Sequence, residues 1–185
     1  MSQFSIAEKK ILLEVVDAAI QYGFYHNSKL PINLPEYPEK LREFGASFVT
    51  LELDGNLRGC IGSLEAHQPL VVDVSQNAFA AAFSDPRFYP LTKKEFLHLT
   101  KHISILSKPE PMSFKSEADL LKQLRPNIDG LILSDHGHRG TFLPAVWESL
   151  PTAELFWQHL KLKAGLPENY WSDTLMVERY TAELV

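Results

Sequence analysis

Cysteine is almost absent from this 185-residue sequence; the only one is Cys60. A single thiol excludes an internal disulfide and any zinc site built on a cysteine pair, and it suits a reducing cytoplasm better than an oxidising compartment. Long apolar runs are missing too. The apolar stretch after Lys10 is broken at Glu14 and Asp17, and nothing approaches the roughly 18 uninterrupted apolar residues of a membrane span. The first ten residues hold no apolar signal core, so neither secretion nor a membrane is expected. Positive charge is not in excess: 18 Lys and Arg stand against 23 Asp and Glu, a net charge of -5. Binding to a phosphate backbone needs several phosphates neutralised together, so nucleic acid is not the expected partner. Glycine-rich phosphate loops, a serine elbow and a metalloprotease helix are absent. His136-Gly137-His138 sits in a predicted turn, and His98 and His102 straddle a helix-to-strand boundary. Neither pair offers a shared ligand face, so no metal or cofactor is expected.

What is present reads as a folded chain. Hydrophobic residues make up 45% and charged residues 22%, an ordinary globular balance, and the length favours one domain, or two small subdomains sharing a core. Ser5-Ile6-Ala7-Glu8 reads as a capping box that opens a helix. Leu12, Val15, Val16, Ala19 and Ile20 form its buried stripe, and Gly23 is placed just past its end. Leu30 to Pro38 carries three prolines and reads as an extended connector. Phe48 to Leu53 alternates as a strand, Asp54-Gly55-Asn56 supplies a tight hairpin, and Leu57 to Ile61 returns antiparallel. Pro69 opens a helix with Leu70, Val74, Ala78 and Ala81 on one stripe, ending near Asp85-Pro86. A short helix over Thr92 to Leu99, a strand over His102 to Leu106 and a helix capped by Ser116 follow. A second hairpin joins Gly130–Leu133 to Gly140–Leu143, a helix is capped by Thr152 and ended by Gly165, and one last strand spans Leu175 to Leu184. Hairpins outnumber strand-helix-strand units, so the expected class is α+β, with a mainly antiparallel sheet flanked by helices.

Leu57-Arg58-Gly59-Cys60-Ile61-Gly62 carries the most chemistry. In a regular strand Arg58 and Cys60 point the same way, with Cα atoms about 6.5 Å apart, close enough for the guanidinium to stabilise a thiolate. Gly59 and Gly62 mark places where a ligand or another backbone comes near. The opposing reading is that of a small buried hydrophobe. A nucleophile also needs a base, and His138 is the histidine selected. Ser84-Asp85-Pro86-Arg87-Phe88-Tyr89-Pro90 is a proline-stiffened loop in which Arg87 is suited to a carboxylate or phosphate, or in which Asp85 and Arg87 simply pair with each other.

These residues bring a family into view. Leu57-Arg58-Gly59-Cys60-Ile61-Gly62 resembles the six-residue signature of the AMMECR family. Asp85-Pro86-Arg87-Phe88-Tyr89-Pro90-Leu91 is similar to its Asp-x-Arg-Phe-x-Pro-Leu segment, Ile103 to Pro109 to its Ile-x-x-Leu-x-x-Pro strand, and Gly140-Thr141-Phe142-Leu143-Pro144 to its Gly-x-Phe-Leu-Pro stretch. The tail, including Lys163-Ala164-Gly165-Leu166-Pro167, also resembles it, so the likeness covers roughly Glu8 to Glu183. It implies a single AMMECR-type domain over residues 1–185, with a larger and a smaller subdomain and the signature near a cleft between them. Microbial members, called AmmeMemoRadiSam system protein A, look like partners of a Memo-type protein and a radical S-adenosylmethionine (radical SAM) enzyme. The likeness implies no settled reaction.

Two functional classes follow. In the first, the protein is an enzyme or enzyme component acting on a small polar or anionic substrate, with Cys60 as nucleophile and Arg58 activating it. Asp85, Arg87, Thr141, Gly59 and Gly62 would form the substrate-binding set, with no metal and no cofactor. In the second, it is a non-catalytic interaction module for the Memo-type and radical SAM proteins, with Cys60 buried and inert. The first predicts a polar cleft and the second an exposed apolar patch elsewhere.

Overall fold

The computed structural model describes residues 2–185. In chain order the elements are α1 (Ile6–His26), α2 (Glu39–Arg42), β1 (Phe44–Leu53), β2 (Asn56–Gly62), β3 (Gln68–Pro69), α3 (Leu70–Phe83), α4 (Lys93–Phe96), β4 (Leu99–Leu106), β5 (Glu110–Pro111), α5 (Glu117–Gln123), β6 (Gly130–Asp135), β7 (His138–Phe142), α6 (Ala153–Lys163), β8 (Met176–Tyr180) and β9 (Ala182–Leu184). The class is α+β, as expected. The chain divides into two compact units, residues 1–106 with 183–185, and residues 107–182. Each has its own hydrophobic cluster, because each sheet buries one face under its own helices.

In the first unit the strand order is β2-β1-β4-β9, with β3 paired to β1. Both β2 and β4 run antiparallel to β1. Val49, Leu51, Ile103 and Ile105 are buried among Leu12, Val16 and Ile20 of α1 and Val71, Val74 and Ala78 of α3. The opposite face carries Thr50, Glu52, Cys60 and His102, all half-buried, which is the alternation of a sheet covered on one side. At β2 the sheet ends, so Cys60 lies on an edge strand.

Sequence signals set most boundaries. Ser5 accepts the Glu8 amide and Glu8 reaches back, closing the capping box, an arrangement contributing about 1 kcal/mol. Asp54 and Gly55 sit at φ 52° and 76°, the left-handed pair that a two-residue hairpin turn needs. Two expectations are corrected. Helix α1 does not stop at Gly23; it runs on to His26, and Asn27, at φ 49°, takes the left-handed cap. Gly23 is there for packing, since a side chain on it would meet the Phe83 ring at 2.4 Å. The last strand is broken at Thr181, with β8 in the second sheet and β9 in the first.

A buried polar knot fastens α3 to the sheet. Asp73, fully buried, accepts the Ser47 amide and hydroxyl, the Asn77 side-chain amide, the Ser63 hydroxyl and the Gln68 side-chain amide. Five donors satisfy a carboxylate that would be costly to bury unpaired. The Leu70 amide, one of the free donors expected at this helix start, is taken by the Glu43 carbonyl.

The second unit stacks α5 and α6 on a sheet of order β5-β8-β6-β7. Trp147 lies parallel to Phe156 at 4.0 Å between centroids, beside Leu131, Leu133, Leu160 and Val177. Lys161 is buried and donates to Glu117 at 2.7 Å, which also accepts the Trp157 indole N–H.

Candidate functional site

The site is assembled on the β2 edge by the loop that follows α3. In β2, register slips by one residue: Leu51 faces Gly59 but Glu52 faces Leu57. Arg58 is the extra residue of this bulge, and a bulge re-aims its side chain. The expected Arg58–Cys60 pairing is therefore corrected. The Arg58 guanidinium turns to Glu95, with Nε to Oε1 at 2.8 Å and Nη2 to Oε2 at 3.2 Å, and donates to the Tyr89 carbonyl at 3.0 Å. Only 13% of its side chain is exposed, and its Nη1 is buried without a hydrogen-bond partner among the described residues.

Cys60 is held by the other motif. Its amide donates to Asp85 Oδ2 at 3.0 Å, and its carbonyl accepts from Arg87 Nη2 at 3.3 Å. Both backbone groups of Cys60 thus point out of the sheet, which makes Cys60–Thr50 a non-hydrogen-bonded antiparallel pair, the kind whose side chains come closest. The Thr50 hydroxyl lies 3.3 Å from Cys60 Sγ, and either group can donate. The thiol is half-buried on the polar face, so it is no inert filler of the core.

The acids of the site are spent on positioning. Asp85, with 2% of its side chain exposed, accepts Arg87 Nη2 at 2.7 Å and Nε at 3.0 Å, together with the Arg87 amide. The Arg87 side chain, acting against burial and helped by the Cys60 and Arg87 amides, holds the Asp85 carboxyl well below the usual range. Glu95 is drawn down to about 2 by the Arg58 side chain, against burial, with the Thr92 amide and hydroxyl adding to it. Arg87 is raised first by Asp85, with burial opposing, and further by the charges of Asp85 and Cys60. Phe88 stands between the two guanidiniums, 5.8 Å from Arg58 and 5.5 Å from Arg87. A cavity of about 350 Å³ opens here, lined by Arg58, Arg87, Phe88, Tyr89, Thr92 and Glu95 among others.

The two glycines are explained by packing. A side chain at Gly59 would sit 2.2 Å from the Ala81 carbonyl oxygen of α3, and one at Gly62 would sit 2.2 Å from the Phe48 ring. Their absent side chains admit a helix backbone and an aromatic ring. Thr141 belongs to the second unit, where its hydroxyl lies 3.2 Å from that of Tyr180. His138 is also in that unit, its Nδ1 3.0 Å from the Ala164 carbonyl. No group of three or more metal-ligating residues occurs among the described residues. Within the first unit the register sets His102 opposite Thr50 and therefore in one row with Cys60. Sequence reasoning weighed His102 only as a metal ligand with His98, and its row with Cys60 was hidden because the row joins strands distant in sequence.

Other proteins are similar to this chain over nearly its whole length. A protein of Methanothermobacter thermautotrophicus is 37% identical over 185 residues, covering 96% of this chain and 93% of its own. One from Thermotoga maritima is 38% identical over 178 residues, covering 94% of each. The crystal structure of uncharacterized protein PH0010 from Pyrococcus horikoshii matches with a TM-score of 0.88 and 28% identity, over 99% of this chain and 93% of that one. The family model AMMECR1 matches residues 13–185, which takes in the Cys60 edge strand, the Asp85–Pro90 loop and the whole second unit; the chain belongs to the AMMECR1 family.

Proposed function

We propose that the protein is an enzyme, or the catalytic component of one, that uses Cys60 as a nucleophile on a small polar or anionic substrate. The observation that carries this reading is the clamp: Cys60, half-buried on a polar sheet face, has its amide held by Asp85, its carbonyl by Arg87 and its sulfur beside Thr50. Such fixing is what a reacting sulfur needs. The anionic class follows from the hydrogen-bond inventory. All four carboxylate oxygens of Asp85 and Glu95 accept bonds from within the site. Arg87, with 54% of its side chain exposed, is left with donor capacity toward the cavity, and a guanidinium edge suits a carboxylate or phosphate.

The test is alkylation of the single thiol by iodoacetamide at neutral pH. Native protein should react at least as fast as the urea-unfolded chain, and Arg87→Gln should slow the native rate. A thiol that reacts only after unfolding refutes the reading. It would turn attention to a docking role with the Memo-type and radical SAM partners that the family likeness implies, for which Tyr89, 90% exposed at the cavity rim, is the first side chain to test.

A further inference from the structure

We infer that His102 is the proton acceptor for Cys60, reached through the Thr50 hydroxyl, with Glu52 as the positioning residue of the imidazole. This rests on the reading of Cys60 as nucleophile. The register sets Cys60 opposite Thr50 and Thr50 opposite His102, so three side chains from three adjacent strands stand in one row on one face. Because the Cys60 backbone groups turn outward, Cys60–Thr50 is the close pair, and the Thr50 backbone bonds fall on the β4 side. Thr50–His102 is then a hydrogen-bonded pair with Cα atoms about 5.5 Å apart, which sets the two side chains next to each other on that face.

Glu52, two residues from Thr50 and on the same face, places Oε2 3.6 Å from His102 Nε2, which leaves Nδ1 as the ring nitrogen open to the hydroxyl. This is the order of a nucleophile, a relay, a base and an orienting carboxylate. The proton balance is complete. The Cys60 S–H proton passes to Thr50 Oγ1 as the Thr50 hydroxyl proton passes to His102, giving a thiolate and an imidazolium with no change of oxidation state. The charged groups on the Cys60 side are Asp85 and Arg87 at the strand edge and the Arg58–Glu95 pair on the bulge. On the His102 side there is Glu52, while neighbouring Lys101 turns to Asp17 of α1. With 37% of the His102 side chain and 35% of Glu52 exposed, solvent can take up the proton afterwards.

The test is the pH profile of Cys60 alkylation by iodoacetamide from pH 5 to 10 in the full chain, its Thr50→Val, Thr50→Ser, Glu52→Gln and His102→Gln variants, and the unfolded chain. Wild type should show a rate step at lower pH than the unfolded chain, whose free thiol ionises near about 8.5. His102→Gln should remove that step and slow reaction at pH 7 by about tenfold, free thiol being only a few per cent ionised there. Thr50→Val should behave likewise and Thr50→Ser should restore the step, a rescue that a packing role would not give. Glu52→Gln, the mildest change, should slow the native rate less than His102→Gln does. A His102→Gln profile that superimposes on wild type, with the native thiol still faster than the unfolded one, overturns the role of His102 and leaves the nucleophile standing. A thiol inert in every folded variant overturns both.

Discussion

Gly59→Ala measures how closely α3 is set against the signature strand. The new methyl would lie 2.2 Å from the Ala81 carbonyl oxygen and 3.0 Å from the Ala81 carbonyl carbon. Both are backbone atoms in the last turn of α3, so no rotamer change relieves the overlap. To reach an ordinary contact near 3.5 Å the strand must retreat by roughly 1.3 Å. A gap of that order forfeits at least a quarter to a half of each dispersion contact nearby, including those of Val49, Leu51, Ala78 and Ala82 in the same cluster. Overpacking typically costs about 1 to 3 kcal/mol, and a rigid obstacle puts this site at the upper end. Alanine returns about 0.4 to 1 kcal/mol by restricting the unfolded chain. The net expectation is a loss of about 2 kcal/mol. If the whole chain melts together, that lowers Tm by about 4 to 8 °C, and by up to about twice as much if the first unit melts alone. The two cases are separable because all three tryptophans, at 147, 157 and 171, lie in the second unit. Tryptophan fluorescence then follows that unit, while far-UV circular dichroism follows both. Gly55→Ala is the comparison, since φ is +76° there and nothing lies within 4 Å, so it carries only the left-handed backbone penalty of about 1 to 2 kcal/mol. A Gly59→Ala protein melting within 1 °C of wild type by both probes would refute the steric argument.

Acid should weaken the site through Glu95. Glu95 is near 2 when folded and 4.5 by reference, so its contribution is present above about 4.5 and is lost as pH falls toward 2. Glu95→Gln should flatten the stability profile over that window, as read by denaturant titration at each pH. Alkali should act on the second unit through Tyr180, which burial pushes up to about 12 against the opposing Thr141 hydrogen bond. A raised folded value means stability is full below about 10 and falls as pH rises toward 12, and Tyr180→Phe should remove that dependence. Glu117→Ala strands the buried Lys161 ammonium with the Tyr170 carbonyl as its remaining partner. It should therefore destabilise by about 3 kcal/mol or more, whereas Lys161→Met, which removes the charge and keeps the volume, should cost less. Tryptophan fluorescence reports this directly, since Trp157 donates to Glu117.

Local signals carried much of the fold. The Ser5–Glu8 box, the Asp54-Gly55 turn and the Thr152 cap need only neighbours in sequence, and each element begins or turns where its residues indicate. The misses all come from distant partners. Gly23 reads as a helix terminator until Phe79 and Phe83 of α3 are laid against it. The strand from Leu175 to Leu184 looks continuous because its alternation does not record that Thr181 changes sheets. Arg58 and Cys60 share a face in any regular strand, and only the slip opposite Leu51 and Glu52 parts them. Asp73 gave no signal in the sequence, because its five donors come together only with the sheet in place. At the site, both motifs were legible as candidates, but their union was not, since β2 and the Asp85 loop meet across the length of α3.

That union narrows what can approach Cys60. An edge strand is an open row of amides and carbonyls, and proteins block such edges against unwanted pairing. Here the blocking is reciprocal. Asp85 and Arg87 take the amide and carbonyl of Cys60, while Arg58 reaches back to the Tyr89 carbonyl and to Glu95. A partner that docks by adding a strand needs those same backbone groups free, so strand addition at Cys60 would first have to break the Asp85–Arg87 clamp, whose acid remains ionised far into the acidic range. What remains open is the polar face, where Thr50 and His102 lie in line with the sulfur, and the cavity beside Arg87 and Phe88. Both accept side chains and small molecules, and neither accepts a β-strand backbone. A partner protein that silences Cys60 should therefore do so by inserting a side chain over Thr50, and its binding should protect the thiol from iodoacetamide while leaving the Cys60 amide hydrogen exchange unchanged.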